Sequence, residues 1–136
     1  MNNKDITGRL KDWLFFAEED LKLAQISFNG GIYHGTCFHA QQTAEKAIKA
    51  YLLSNGQRVP KIHSLTGLLD LNDEIKRDFK EFSEEIEFLD QFYIPTRYPD
   101  AFPGSLPEGL PNKNDGEKAL ESAGKILNFV KKNFSI

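Results

Sequence analysis

Two short stretches of this sequence hold the residue types that bind or transform charged ligands. The first is His39-Ala40-Gln41-Gln42-Thr43-Ala44-Glu45-Lys46. On a helix, counting from Tyr33, Gln42 falls at about 180°, Lys46 at about 220°, His39 at about 240° and Thr43 at about 280°. An imidazole, an ammonium and an amide on one polar face suit a phosphate-bearing ligand. His39, Gln42 and Lys46 are therefore candidate contacts to a nucleotide or an RNA backbone. Gln41 and Glu45 flank Phe38 on the remaining side. The alternative is local: Glu45 pairs with Lys49 four residues on, and His39 bonds to a nearby loop.

The second stretch is Tyr93-Ile94-Pro95-Thr96-Arg97-Tyr98-Pro99-Asp100. Arg97 carries a planar fork of donors matched to phosphate or carboxylate. Tyr93 and Tyr98 offer rings on which a base can stack. Asp100 either shapes such a site or holds Arg97 and fixes the loop. Metal chemistry has no comparable footing. The three histidines are His34, His39 and His63, and the first two lie about 140° apart on a helix. Cys37 is the single cysteine, so neither a zinc cluster nor a disulfide framework is expected. No phosphate-cradling glycine loop or nucleophile elbow occurs, so no metal and no cofactor is anticipated.

Helices must position these residues. Leu10, Trp13, Leu14, Ala17, Leu21, Ala24 and Phe28 form one apolar stripe at spacings of three and four, ended by Asn29-Gly30-Gly31. A second helix is expected from about Ile32 to Ser54, with Tyr33, Cys37, Ala40, Ala44, Ala47, Ile48 and Tyr51 as its stripe and Asn55-Gly56 as its stop. Its alanines let a neighbouring helix approach closely, so the pair should form an αα-hairpin. Ser64 is positioned to cap a short helix from Leu65 to about Leu71. A third long helix, capped by Asn72 or Asp73, carries Ile75, Phe79, Phe82, Ile86 and Leu89 and ends near Tyr93, before Pro95. The last begins near Asp115, its N-cap candidate, and carries Leu120, Ala123, Ile126, Val130 and Phe134. No alternating strand pattern is present. The fold class predicted is all-α: an up-and-down antiparallel bundle of four long helices plus a short one, as a single domain over residues 1–136. Between the third and last long helices lies a long Pro-rich loop, with five of the six prolines at 95, 99, 103, 107 and 111.

The chain has 136 residues and a net charge of −3. That balance does not suit a protein that coats nucleic acid by charge alone. The charge is unevenly distributed: residues 61–100 hold 5 basic and 10 acidic side chains. No apolar run approaches the roughly 20 residues that span a bilayer. Neither that span nor a signal-peptide core is seen, so a cytoplasmic protein with no membrane partner is expected.

The order of these residues resembles a known family. Trp13, Ala17, Asp20-Leu21 and Ala24, then Gly31-x-Tyr33, then Cys37-Phe38-His39-Ala40-Gln41-Gln42-x-Ala44-Glu45-Lys46-Ala47 resemble the first half of a HEPN domain. His63-Ser64-Leu65 with Leu68-Leu69, then Tyr93 and Thr96-Arg97-Tyr98-Pro99-Asp100-Ala101, resemble its second half. The resemblance implies a helical bundle that forms a homodimer. It also implies a nucleotidyltransferase partner, in a pair that can act as a toxin–antitoxin module, and a nucleotide-binding role. Phe15, Phe38 and Phe102 are the expected interface side chains, offering apolar bulk off the main stripes.

Some HEPN proteins cleave RNA without metal, using an Arg followed four to six residues later by His. After Arg97 no histidine follows. Arg58 and His63 meet the spacing, but Pro60 lies between them, in a loop rather than a long helix. The leading expectation is a non-catalytic binding module; the alternative is an RNA-cleaving toxin.

Overall fold

The computed structural model describes residues 3–93 and 109–134. Six α-helices are found among them: α1 (Asn3–Asn29), α2 (Tyr33–Ser54), α3 (Leu65–Leu69), α4 (Asp73–Asp78), α5 (Ser83–Asp90) and α6 (Lys113–Lys132). No strand occurs among the described residues. The all-α bundle read from the apolar periodicity is the fold observed.

The α1–α2 hairpin turns where glycine permits it. Gly31 has φ +75°, a backbone conformation that side chains with a Cβ rarely adopt. Ile32 N–H donates to the Ser27 carbonyl at 2.8 Å and closes the turn. Helix α2 is the bundle axis and packs against α1, α3, α5 and α6. Small side chains make that possible: Ala40, Ala44 and Ala47 of α2 are fully buried, as are Ala17 and Ala24 of α1 and Ala119 and Ala123 of α6. The axis is therefore enclosed nearly all round. Thr43, expected on a polar face, is fully buried, and its hydroxyl donates to the His39 carbonyl at 3.0 Å.

Two helix ends differ from the sequence expectation. The third long helix is not continuous: Lys80–Phe82 wind as a 3-10 turn between α4 and α5. The apolar spacing survives this break, because the tighter turn presents both Phe79 and Phe82 to Phe129, at ring-centroid distances of 5.1 and 5.3 Å. At the start of α6 the cap is Asn112, not Asp115. Asp115 is instead the third helical residue of a capping box, with its N–H donating to Asn112 Oδ1 and its carboxylate accepting from Asn112 N–H, both at 2.9 Å. Ser64 does cap α3, accepting from the Gly67 N–H. Among the described residues no helix is long and apolar enough to cross a membrane.

A polar seam and a basic cleft along the central helix

Helix α2 carries two groups of buried and half-buried polar side chains, each with its partners. At its N-terminal half, Asp20 of α1 reaches across the hairpin. Its carboxylate bonds His39 Nδ1 at 3.0 Å with one oxygen and accepts from Lys46 Nζ with the other. His39 and Lys46 thus share a face, as the helical angles require. That face is turned against α1 rather than a loop. Burial alone would raise the Asp20 pKa, but the His39 and Lys46 hydrogen bonds and charges outweigh it and hold the carboxyl below its ordinary value.

Gln42 belongs to a second group. Its amide donates to Gln41 Oε1 at 2.8 Å and to Glu45 Oε1 at 3.1 Å. Glu45 is only 3 % exposed. Its other oxygen accepts from Lys49 Nζ at 2.9 Å and from His63 Nδ1 at 3.1 Å. The pairing of Glu45 with Lys49 is the local alternative read from the sequence, now extended by a histidine from a distant loop. Gln41, fully buried, donates to the His63 carbonyl at 2.9 Å and pins the same loop from below.

His63 is held from three sides. Beside it, Asp90 at the end of α5 accepts from Leu65 N–H at 2.7 Å, Thr66 N–H at 3.2 Å and Ser64 Oγ at 3.0 Å. Tyr93 stacks on the imidazole, with centroids 5.1 Å apart and planes 17° from parallel. With Nδ1 donating to a carboxylate, Nε2 of the neutral ring carries the lone pair. The His63 side chain is 48 % exposed, and it borders an open cleft of about 1100 Å³.

That cleft lies between the start of α1 and the 55–63 loop. Among the described residues, Arg9, Arg58, Lys61 and Lys49, the last already paired with Glu45, line it together with one carboxylate, Asp12. Trp13, Leu53, Val59 and Pro60 supply apolar wall. Lys49 Nζ sits 5.5 Å from the centre of the Trp13 ring. Arginine and lysine donors beside an indole are the complement of a phosphate carried by a flat ring. Among the described residues no group of three His, Cys, Asp or Glu side chains is arranged to hold a metal.

The candidates from the sequence are thus divided. His39, Gln42 and Lys46 fall on the seam, and Tyr93 on the His63 side of the cleft. Arg97, Tyr98, Asp100 and Phe102, with most of the Pro-rich loop, lie outside the described residues. Phe15 is 55 % exposed on α1, whereas Phe38 is half-buried with its ring against His39. Asp20, Lys49, Arg9, Trp13 and Lys61 were not among the site candidates. Trp13 reads as core from its stripe, and the others gain meaning only when α1, α2 and the 55–63 loop converge.

The chain is thus an all-helical bundle whose central helix carries paired polar side chains and whose 55–63 loop borders a basic cleft. Residues 10–133 match the HEPN domain family model, and the chain belongs to that family. A Methanocaldococcus jannaschii protein named "Putative toxin MJ1304" is 31 % identical over 124 residues, covering 85 % of this chain and 81 % of the relative. The crystal structure of TT1696 from Thermus thermophilus superposes with a TM-score of 0.76 at 40 % identity, covering 91 % of this chain and 97 % of the other. The crystal structure of ST0689, an archaeal HEPN homologue, does so with a TM-score of 0.70 at 35 % identity, covering 90 % and 95 %.

Proposed function

We propose that this protein is the HEPN half of a toxin–antitoxin-like pair with a nucleotidyltransferase, and that it works as a non-catalytic module binding a phosphate-bearing ligand, a nucleotide or RNA. The observation that carries the ligand class is the cleft: among the described residues Arg9, Arg58 and Lys61 stand around one indole, while Lys49 beside it is already paired with Glu45. The likeness to a protein named as a toxin supports the pair. The ligand's phosphate lies on Arg58 and Lys61, and its ring on Trp13.

Trp13 is the only tryptophan, so its fluorescence reports the cleft directly. Titration with ATP and with a short single-stranded RNA should quench it and raise the Tm by linkage. Arg58→Ala and Lys61→Ala should each weaken the response. No change at millimolar ATP or micromolar RNA overturns the ligand class. Co-expression with a candidate nucleotidyltransferase and size-exclusion chromatography tests the pair; elution as two separate species counts against it.

RNA cleavage is the second reading, and one observation favours it. Arg58 and His63 line the same cleft, with His63 oriented by a buried carboxylate. A histidine held in one tautomer beside a phosphate-binding cation is equipped for general acid–base work. Purified protein incubated with RNA should then cleave it, and His63→Ala and Arg58→Ala should abolish the products. Cleavage that persists in both variants comes from another site.

A further inference from the structure

The polar side chains lining the cleft are mostly donors. Arg9, Arg58, Lys61 and Lys49 offer only N–H groups, and so does the Trp13 indole. Asp12 is an exposed carboxylate, and the Gln57 amide both donates and accepts. His63 differs from these because its orientation is fixed. Its ring presents Nδ1 to Glu45 Oε2 at 3.1 Å, and that carboxylate is buried and paired with Lys49. An ionised carboxylate has no proton to give, so the hydrogen of the neutral imidazole sits on Nδ1. Nε2, turned away from the buried carboxylate, is then an acceptor only. Among the described residues no hydrogen bond reaches it. The backbone is held as firmly: Gln41 donates to the His63 carbonyl at 2.9 Å, and Asp90 accepts from the N–H groups of Leu65 and Thr66.

We propose that His63 Nε2 selects the ligand of the cleft by accepting a hydrogen bond from it, and that Glu45 is the positioning residue that keeps it an acceptor. The proposal rests on the cleft being the site of a phosphate-bearing ligand with a flat ring. Such a ligand can donate from a sugar hydroxyl or from an exocyclic amino group. His63 stands two residues along the chain from Lys61, which takes the phosphate, so the sugar hydroxyl is the nearer source. The His63 side chain is 48 % exposed, so water replaces a missing donor and the selection is modest. One net hydrogen bond corresponds to about three- to tenfold in affinity. Arg58 and Lys61 thus set how tightly a phosphate is held, and His63 sets which phosphate-bearing molecule is preferred.

Quenching of Trp13 on the full chain compares ATP with 2′-deoxy-ATP, 3′-deoxy-ATP and ITP, the last lacking the amino group. The titrations are run at pH 8, where an imidazole is ordinarily neutral. One analogue should bind about three- to tenfold more weakly than ATP: a deoxy analogue if the sugar donates, ITP if the base does. His63→Phe keeps a ring for Tyr93 to stack on, and should bind that analogue and ATP alike. Glu45→Gln combined with Lys49→Met tests the positioning. Gln42 still donates to position 45, so the new amide turns its NH2 toward Nδ1 and moves the ring hydrogen to Nε2. The preference for ATP should then vanish or reverse, whatever affinity is lost with Lys49, while circular dichroism stays helical in both variants. Equal binding of all four nucleotides by wild type overturns the proposal and leaves the ligand class standing, as does a preference that survives His63→Phe. A double variant that keeps the wild-type preference overturns the role of Glu45. Absence of binding by every nucleotide overturns the ligand class, and this proposal with it.

Discussion

Replacing Glu45 by glutamine changes one atom at the point where the seam meets the cleft. The carboxylate is buried, and one oxygen faces both Lys49, whose side chain is 5 % exposed, and His63. Glutamine preserves the volume and the bond from Gln42, but it leaves the buried Lys49 ammonium without its counter-charge. Breaking a buried ion pair from one side costs about 3–5 kcal/mol, because the surviving charge is stranded in low dielectric. With an unfolding entropy of about 2.1 cal/mol/K per residue, that loss lowers the Tm of a domain this size by about 10–17 °C.

Differential scanning calorimetry of Glu45→Gln should show that fall. A second variant isolates the cause. Glu45→Gln with Lys49→Met removes both charges and fills the site with an unbranched apolar chain. It should return to within about 1–2 kcal/mol of wild type, since replacing a whole buried pair is close to neutral. A Tm drop below about 3 °C in the single variant, or a double variant no more stable than the single, would refute the claim that a stranded charge sets the cost.

Asp20 makes stability depend on acid. Its folded pKa lies below the ordinary 3.8, so its contribution is fully present above that value and is lost as pH falls through the lower folded value. Asp20→Asn should cost about 1.5–3 kcal/mol at pH 7, the range for hydrogen bonds to charged groups, and its Tm deficit should shrink below about pH 4. Burial, aided by the Asp115 charge, pushes the Cys37 thiol up to about 12. A thiol reagent at pH 8 should therefore leave it unmodified in the native protein and label it only on unfolding. A Cβ at Gly116 would lie 3.0 Å from Phe28 Cδ1 and 3.3 Å from Tyr33 Cδ1. Gly116→Val should accordingly destabilise by about 1–3 kcal/mol through overpacking, read as a lower urea midpoint, despite valine's better helix propensity.

The helices were legible because periodicity, glycine stops and small-residue stripes are local signals. The His63-Ser64-Leu65 turn was legible in the same way, through a capping serine. The discontinuity at Lys80–Phe82 was not, because the spacing of Ile75, Phe79, Phe82, Ile86 and Leu89 suits a continuous helix equally well. Both Phe79 and Phe82 pack on Phe129, a residue some fifty positions away, and no local rule contains that contact. The site shows the same division. That His39 and Lys46 share a face follows from helical geometry. That Asp20 is what they share does not.

By itself, then, the order of amino acids determined which segments are helical, which faces of them are apolar and which family the chain belongs to. Those properties depend on neighbours within a few turns and on motif spacing. Only the tertiary structure decided which polar side chains are partnered and which are available. Docking α1 on α2 encloses His39 and Lys46 around Asp20, and docking the 55–63 loop beside Trp13 exposes Arg58, Lys61 and His63 on one cleft. The physical reason is that burial and charge pairing are properties of converging surfaces: a lysine becomes a buried ion or a ligand contact according to what the rest of the chain places opposite it.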